Sequence, residues 1–147
     1  MEEQVRSKRD GGRVPPQDLV AEKSLLGAVM LQDSVMAEIL TILKPKDFYE
    51  KRHELIFTAM MHLYDQHRPI DLLTLTAEMK KQKTLKDVGG AAYLTELSNF
   101  VPAAAHAKAY AEIVERASVR RRLIKAGNEI AEKAAFRLIN KETGEPL

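Results

Sequence analysis

Residues 47–64 read DFYEKRHELIFTAMMHLY. Phe48, Tyr49, His53, Ile56, Phe57, Met60, Leu63 and Tyr64 recur at spacings of three and four, the period of one face of an α-helix. This is the longest clear apolar stripe in the chain, and it predicts a central core helix opened by Asp47. Working outward, Arg68-Pro69 breaks the stripe on one side and Pro45 ends the preceding element on the other. N-terminal to it, Pro15-Pro16 is followed by Ala21, Leu25, Leu26, Val29 and Met30, a first helix in which Gly27 costs about 1 kcal/mol against alanine. Asp33 or Ser34 is expected to cap a second helix with Val35, Met36, Ile39, Leu40 and Leu43. C-terminal to the stripe, Thr74 is a candidate N-cap for a helix with Leu75 and Met79. Gly89-Gly90 then introduces a short helix with Tyr93, Leu94 and Leu97, which Pro102 closes.

From Ala103 the chain becomes rich in alanine, a strong helix former. Ala107, Tyr110, Ile113, Val114 and Ala117 form one stripe. Val119, Leu123, Gly127, Ile130 and Ala134, flanked by Ile124 and Ala131, form another, with Ser118 as the expected cap between them. The reading is a helical hairpin. No stretch alternates with period two, so the fold class is all-α: a head of about five helices over 15–102, a hairpin over 103–135, a flexible tail over 1–14 and a C-terminal tail over 136–147. Two helices alone have no interior. Periodicity leaves open whether the hairpin folds back on its own head or packs against a second copy as a four-helix bundle.

Composition bounds the chemistry. The 147 residues include no cysteine, which excludes a disulfide framework and thiolate metal sites and fits a reducing cytoplasm. A formal net charge of +2 is too small to imply nucleic-acid binding by itself. No apolar run approaches the ~18 residues of a membrane span. Phosphate loops of the GxxxxGK[ST] type are missing, so no ATP site is expected. His53, His62, His67 and His106 form no HExxH pair, and His53 on the apolar stripe reads as a satisfied core histidine rather than a metal ligand. Asp47 and Asp71 read as caps rather than catalytic acids. No catalytic, cofactor-binding or metal site is assigned. One basic cluster exists, Arg116, Arg120, Arg121, Arg122 and Lys125. Residues 106–135 hold seven Lys/Arg against four Asp/Glu. Because successive residues turn ~100° around a helix, these charges spread over several faces, and no stacking aromatic lies beside them. A small helical nucleic-acid-binding protein using this basic hairpin remains the alternative reading.

The blocks AEKSLLGAVM (21–30), PKDFYEKRHELIFTAM (45–60), PIDLLTLTAEM (69–79), GGAAYLTEL (89–97) and VPAAAHAKAYAEIVERASVRRRLI (101–124) together resemble the N-terminal domain of DnaB-type replicative helicases. Each block is weak alone; their order and spacing are specific. The resemblance covers roughly Arg13 to Ala135. It implies a globular head followed by a hairpin, six copies of which form a collar as a trimer of dimers, in the cytoplasm. It implies that the parent enzyme carries a separate ATPase motor using ATP and magnesium, which moves 5′ to 3′ on single-stranded DNA, and that the collar docks the helicase-binding domain of primase. Under this reading Tyr110, Ile113, Val114, Ala117, Val119, Leu123, Gly127 and Ile130 make self-association contacts. Tyr93, Ile124 and Ile130 match apolar positions of the primase-docking surface, with a core role for Tyr93 as the alternative. The resemblance stops before RLINKETGEPL (137–147), where Gly144 and Pro146 oppose helix.

Overall fold

The computed structural model describes residues 14–100, 103–137 and 143–145. Residues 1–13 of the predicted N-terminal tail, the helix stop at Pro102 and most of the C-terminal tail fall outside these residues. Among the described residues the chain forms six α-helices and no strand: α1 (Leu19–Leu31), α2 (Met36–Ile39), α3 (Lys51–Asp65), α4 (Leu72–Lys81), α5 (Gly90–Phe100) and α6 (Ala107–Arg137). The all-helical class and the five helices ahead of α6 agree with the periodicity. One compact unit spans Gln17–Ser118, so its boundary lies inside α6 rather than at residue 102.

The most deeply placed helix is α1, not α3. Every residue from Ser24 to Met30 is buried, and α1 packs along α5 and α3. Its sequence, LVAEKSLLGAVML, is apolar almost all round, which is how a fully enclosed helix reads. By contrast α3 buries one face only, His53, Ile56, Phe57, Ala59, Met60 and Leu63. Asp18 caps α1, its side chain accepting the Ala21 N–H at 2.9 Å.

Three expected helix starts fall elsewhere. Pro45–Asp47 is a 3-10 turn, and α3 begins at Lys51. Thr74 is not the cap of α4. Asp71 caps it, accepting the Thr74 N–H at 2.9 Å, while the Thr74 hydroxyl accepts the Asp71 N–H at 2.9 Å. This reciprocal box satisfies two free donors with two short side chains. Neither Asp33 nor Ser34 caps a long second helix. Asp33–Val35 is a 3-10 turn, α2 lasts only four residues, and the Asp33 carboxylate instead accepts the Ile70 N–H at 3.0 Å, tying the end of α1 to the α3–α4 connection.

Both α3 and α4 end without glycine. His67 (φ 56) and Lys83 (φ 60) occupy the left-handed region. The Arg68 N–H returns to the Leu63 carbonyl and the Thr84 N–H to the Met79 carbonyl, both at 2.9 Å, closing a Schellman-type end in each case. A Cβ is unfavourable in that backbone region.

A buried polar chain ties α1, α3 and α5 together. Glu22 is 1 % exposed. Its carboxylate accepts the Tyr49 N–H at 2.8 Å and the Glu50 N–H at 3.4 Å, so a residue of α1 holds the two residues that lead into α3. It also meets His53 Nδ1 at 2.8 Å. The other ring nitrogen, Nε2, lies 2.6 Å from the Tyr93 hydroxyl on α5. Gly89 (φ 98) and Gly90 (φ 70) make the turn that launches α5, and a Cβ on Gly89 would come within 3.0 Å of the Tyr93 Cβ. Burial pushes the Tyr93 hydroxyl up to about 12, with the nearby Arg52 guanidinium opposing.

Three outcomes follow from these contacts. His67→Gly and Lys83→Gly should each raise stability in urea melts by about 0.5–1 kcal/mol, since glycine removes the Cβ penalty at some entropic cost. Glu22→Ala should cost about 3 kcal/mol or more, because it leaves buried donors without an acceptor. The unfolded-state tyrosine loses its proton near 10 and the folded one near 12, so the unfolded state holds fewer protons between these values. The Tyr93 contribution is therefore intact below pH 10 and lost as pH rises to 12, and Tyr93→Phe should flatten that part of the stability profile.

Candidate interaction surface

Residues 107–137 are one helix, not a hairpin. Ser118 does not cap a second helix; it lies mid-helix, buried, and its hydroxyl donates to Asp47 Oδ1 at 2.7 Å. A turn there would need a break signal, and no glycine or proline occurs between Ala103 and Ala126. The helix also takes in Phe136 and Arg137, two residues assigned to the tail.

The two stretches of α6 differ in what they touch. Over the first, Ala107, Ala111, Val114 and Ser118 are buried at helical spacing. Tyr110 is half-buried against the same core, and Asp47 Oδ2 anchors this neighbourhood by accepting the Lys44 N–H at 2.8 Å. Val114, expected at a subunit contact, is therefore a core residue of the head. Ala117 and Val119 are half-buried, and Ile113 is exposed. Tyr93, expected at a docking surface, is likewise a core residue held by His53.

Beyond Val119 no described residue covers the apolar stripe. Leu123 is 66 % and Ile130 68 % exposed, and Ile124, Gly127 and Ala134 are exposed too. At ~100° per residue, Leu123, Gly127, Ile130 and Ala134 fall within about 60° of one another, and Ile124 and Ala131 widen the strip. Arg121, Lys125, Glu129 and Glu132 lie on the far side, at about 160–240° from Leu123. A Cβ on Gly127 would meet nothing within 4 Å, so no packing among the described residues calls for glycine there. Phe136, 74 % exposed and off the stripe, is an apolar residue that the stripe reading passed over. Full burial of Leu123 and Ile130 is worth ~1.5–3 kcal/mol each.

The basic side chains do not converge. Arg116, Arg120, Arg122 and Lys125 are exposed on different faces, and Arg121 donates to the Pro16 carbonyl at 2.8 Å. Among the described residues no group of His, Asp and Glu is arranged to hold a metal ion, and no helix is long and apolar enough to cross a membrane.

A family model described as the DnaB-like helicase N terminal domain matches residues 14–116. The chain is 45% identical over 120 residues to the replicative DNA helicase DnaB of Geobacillus stearothermophilus, and 44% identical over 120 residues to the replicative DNA helicase DnaC of Bacillus subtilis. Each alignment takes in 82% of this chain but only 26% of the relative, so the chain spans about a quarter of the length of the curated relatives it matches. Among solved structures, it is similar to the N-terminal domain of DnaB helicase from Mycobacterium tuberculosis, with a TM-score of 0.79 and 40% identity over 81% of this chain and 86% of that one. It is also similar to the N-terminal domain of DnaB helicase from Helicobacter pylori, described with its interactions with primase, with a TM-score of 0.68 and 28% identity over 78% of this chain and 89% of that one. These matches fit the helicase-domain reading and not that of a separate nucleic-acid-binding protein. The chain belongs to the DnaB-like helicase N-terminal domain family.

Proposed function

We propose that this domain is a collar element of a replicative DNA helicase, joining subunits and receiving primase, with no ATPase motor of its own. The observation that carries the reading is the uncovered stripe of α6. Leu123, Gly127 and Ile130, together with Ile113 and Val119, are the residues of the expected self-association set that stay free or partly free. Tyr110 and Ala117 would buttress them. Val114 is excluded by its place in the core. A second copy of the same strip is a self-complementary partner, and two-fold pairing would build the dimers from which a six-membered collar, a trimer of dimers, is assembled. In this reading ATP, magnesium and the single-stranded DNA track belong to the motor of the whole helicase, which works in the cytoplasm. The helicase-binding domain of primase would meet Ile124 and Ile130, and Tyr93, buried in the head, is left out of that contact. The interactions with primase described for the Helicobacter pylori domain support this choice of partner.

Molecular mass measured in solution over a wide concentration range should reveal a dimer or higher assembly that persists in moderate salt, because apolar burial is not screened as phosphate contacts are. Leu123→Asp or Ile130→Asp should weaken association about a hundredfold or more, since the seam would bury an unpaired carboxylate. Both side chains are exposed in the chain, so far-ultraviolet circular dichroism should not change. A monomer at every concentration would overturn the assembly reading. Ile124→Asp, at the edge of the strip, should weaken binding to the primase helicase-binding domain more than it weakens self-association.

A further inference from the structure

The uncovered stretch of α6 has a charge pattern as well as an apolar strip. Gly127, Ile130 and Ala134 fall within about 40° of Leu123, so the strip is narrow. Arg120 borders it about 60° to one side of Leu123, and Lys133 and Arg122 lie about 80° and 100° to the other. Glu129 and Glu132, the acidic residues of this stretch, lie further round, at about 120° and 180°. The three basic side chains are exposed, and among the described residues none of them makes an ion pair. The strip itself holds two large side chains, Leu123 and Ile130, with Gly127 between them, where a Cβ would meet nothing within 4 Å. This pattern selects among occupants. A nucleic-acid backbone would answer the basic borders but leave Leu123 and Ile130 in water, and no aromatic side chain on the strip could stack a base. A membrane surface favours many bulky apolar and aromatic side chains on one face; Phe136 lies about 140° from Leu123. A second copy answers the apolar strip, yet it brings basic borders against basic borders while its own carboxylates are turned away. A helix with an apolar face and carboxylates along both edges answers every part.

We propose that the strip of α6 receives an amphipathic helix of a partner protein whose apolar face is bordered by acidic side chains, and that its basic borders favour this helix over a second copy at low salt. The site is the one assigned above to docking, and its use by a partner rests on that reading. Apolar residues of the partner cover Leu123 and Ile130 and enter the space left at Gly127. Its carboxylates pair with Arg120 on one border and with Lys133 and Arg122 on the other. Border charges of this kind contribute to selectivity and association rate more than to affinity. Salt therefore acts in opposite directions on the two occupants. It screens the attraction of the acidic helix and relieves the repulsion between two basic borders.

Fluorescence anisotropy of two labelled synthetic peptides, titrated with the full chain, tests this selectivity. Both peptides are amphipathic helices with leucine along one face; one carries glutamate on both borders and its twin carries lysine. At about 0.05 M salt the glutamate peptide should bind about tenfold more tightly than the lysine twin, and the gap should close to about twofold near 0.5 M. Arg120→Glu, at an exposed position, should weaken the glutamate peptide about fivefold and strengthen the lysine twin. Association of the chain with itself should tighten over the same rise in salt. Equal binding of the two peptides, binding of neither, or an affinity for the glutamate peptide that salt does not change would each overturn the proposal. So would tighter binding to a single-stranded oligonucleotide or to phosphatidylglycerol vesicles than to the glutamate peptide. A chain that stays monomeric at every concentration yet selects the glutamate peptide would support the proposal while overturning the assembly role.

Discussion

A carboxylate taken out of water must find donors, and the head is arranged so that Glu22 does. The segment leading into α3 offers the N–H groups of Tyr49 and Glu50, and α1 carries the buried acidic side chain that meets them. The same carboxylate orients His53, and His53 in turn fixes the Tyr93 hydroxyl at the beginning of α5. Apolar burial supplies most of the free energy of such a core, but it is not directional. The polar chain gives the three helices a single mutual register, and an uncompensated charge penalises any other.

Much of this architecture was legible in the sequence, because most of its helices are amphipathic. The periods of three and four located α3, α4 and α5 and named most of their buried residues, although Tyr49 and Tyr64 are exposed and the buried Ala59 went unnamed. The ranking of α1 and α3 was not legible: a helix enclosed on all sides lacks the contrast that makes a stripe conspicuous, so the amphipathic neighbour looked more central. Short-range polar chemistry was ambiguous for another reason. Asp71 and Thr74 both suit an N-cap, and the backbone decides which one leads. The Glu22 chain was invisible to pattern reading. Its partners lie 27 to 40 residues apart; His53 attracted notice as a histidine on an apolar face and Tyr93 as a docking or core residue, but Glu22 did not, and nothing linked the three. Yet Glu22, His53 and Tyr93 each lie within one of the blocks on which the family resemblance rests.

The candidate surface was half legible. Periodicity found the apolar positions of α6 but could not say which of them the head would claim. Ser118 was misread because serine is a good cap and also a tolerable mid-helix residue when its hydroxyl has a partner; here Asp47, 71 positions away, is that partner. With no turn at Ser118, the two stripes are successive parts of one face-changing helix. Val114 is spent on the core, while Leu123 and Ile130 are not. The family match ends at residue 116, close to where burial ends.

The shared polar chain also limits how such domains can be recombined. Glu22, His53 and Tyr93 come from three helices separated in sequence by loops that would make convenient crossover points. A chimera that took only one of these helices from a relative with different side chains at these positions would inherit a donor without its acceptor, or the reverse, in a place that water cannot reach. Exchange of the head as a whole avoids this, so the modular boundary relevant to protein engineering encloses α1 to α5 and α6 as far as Ser118, rather than any single helix.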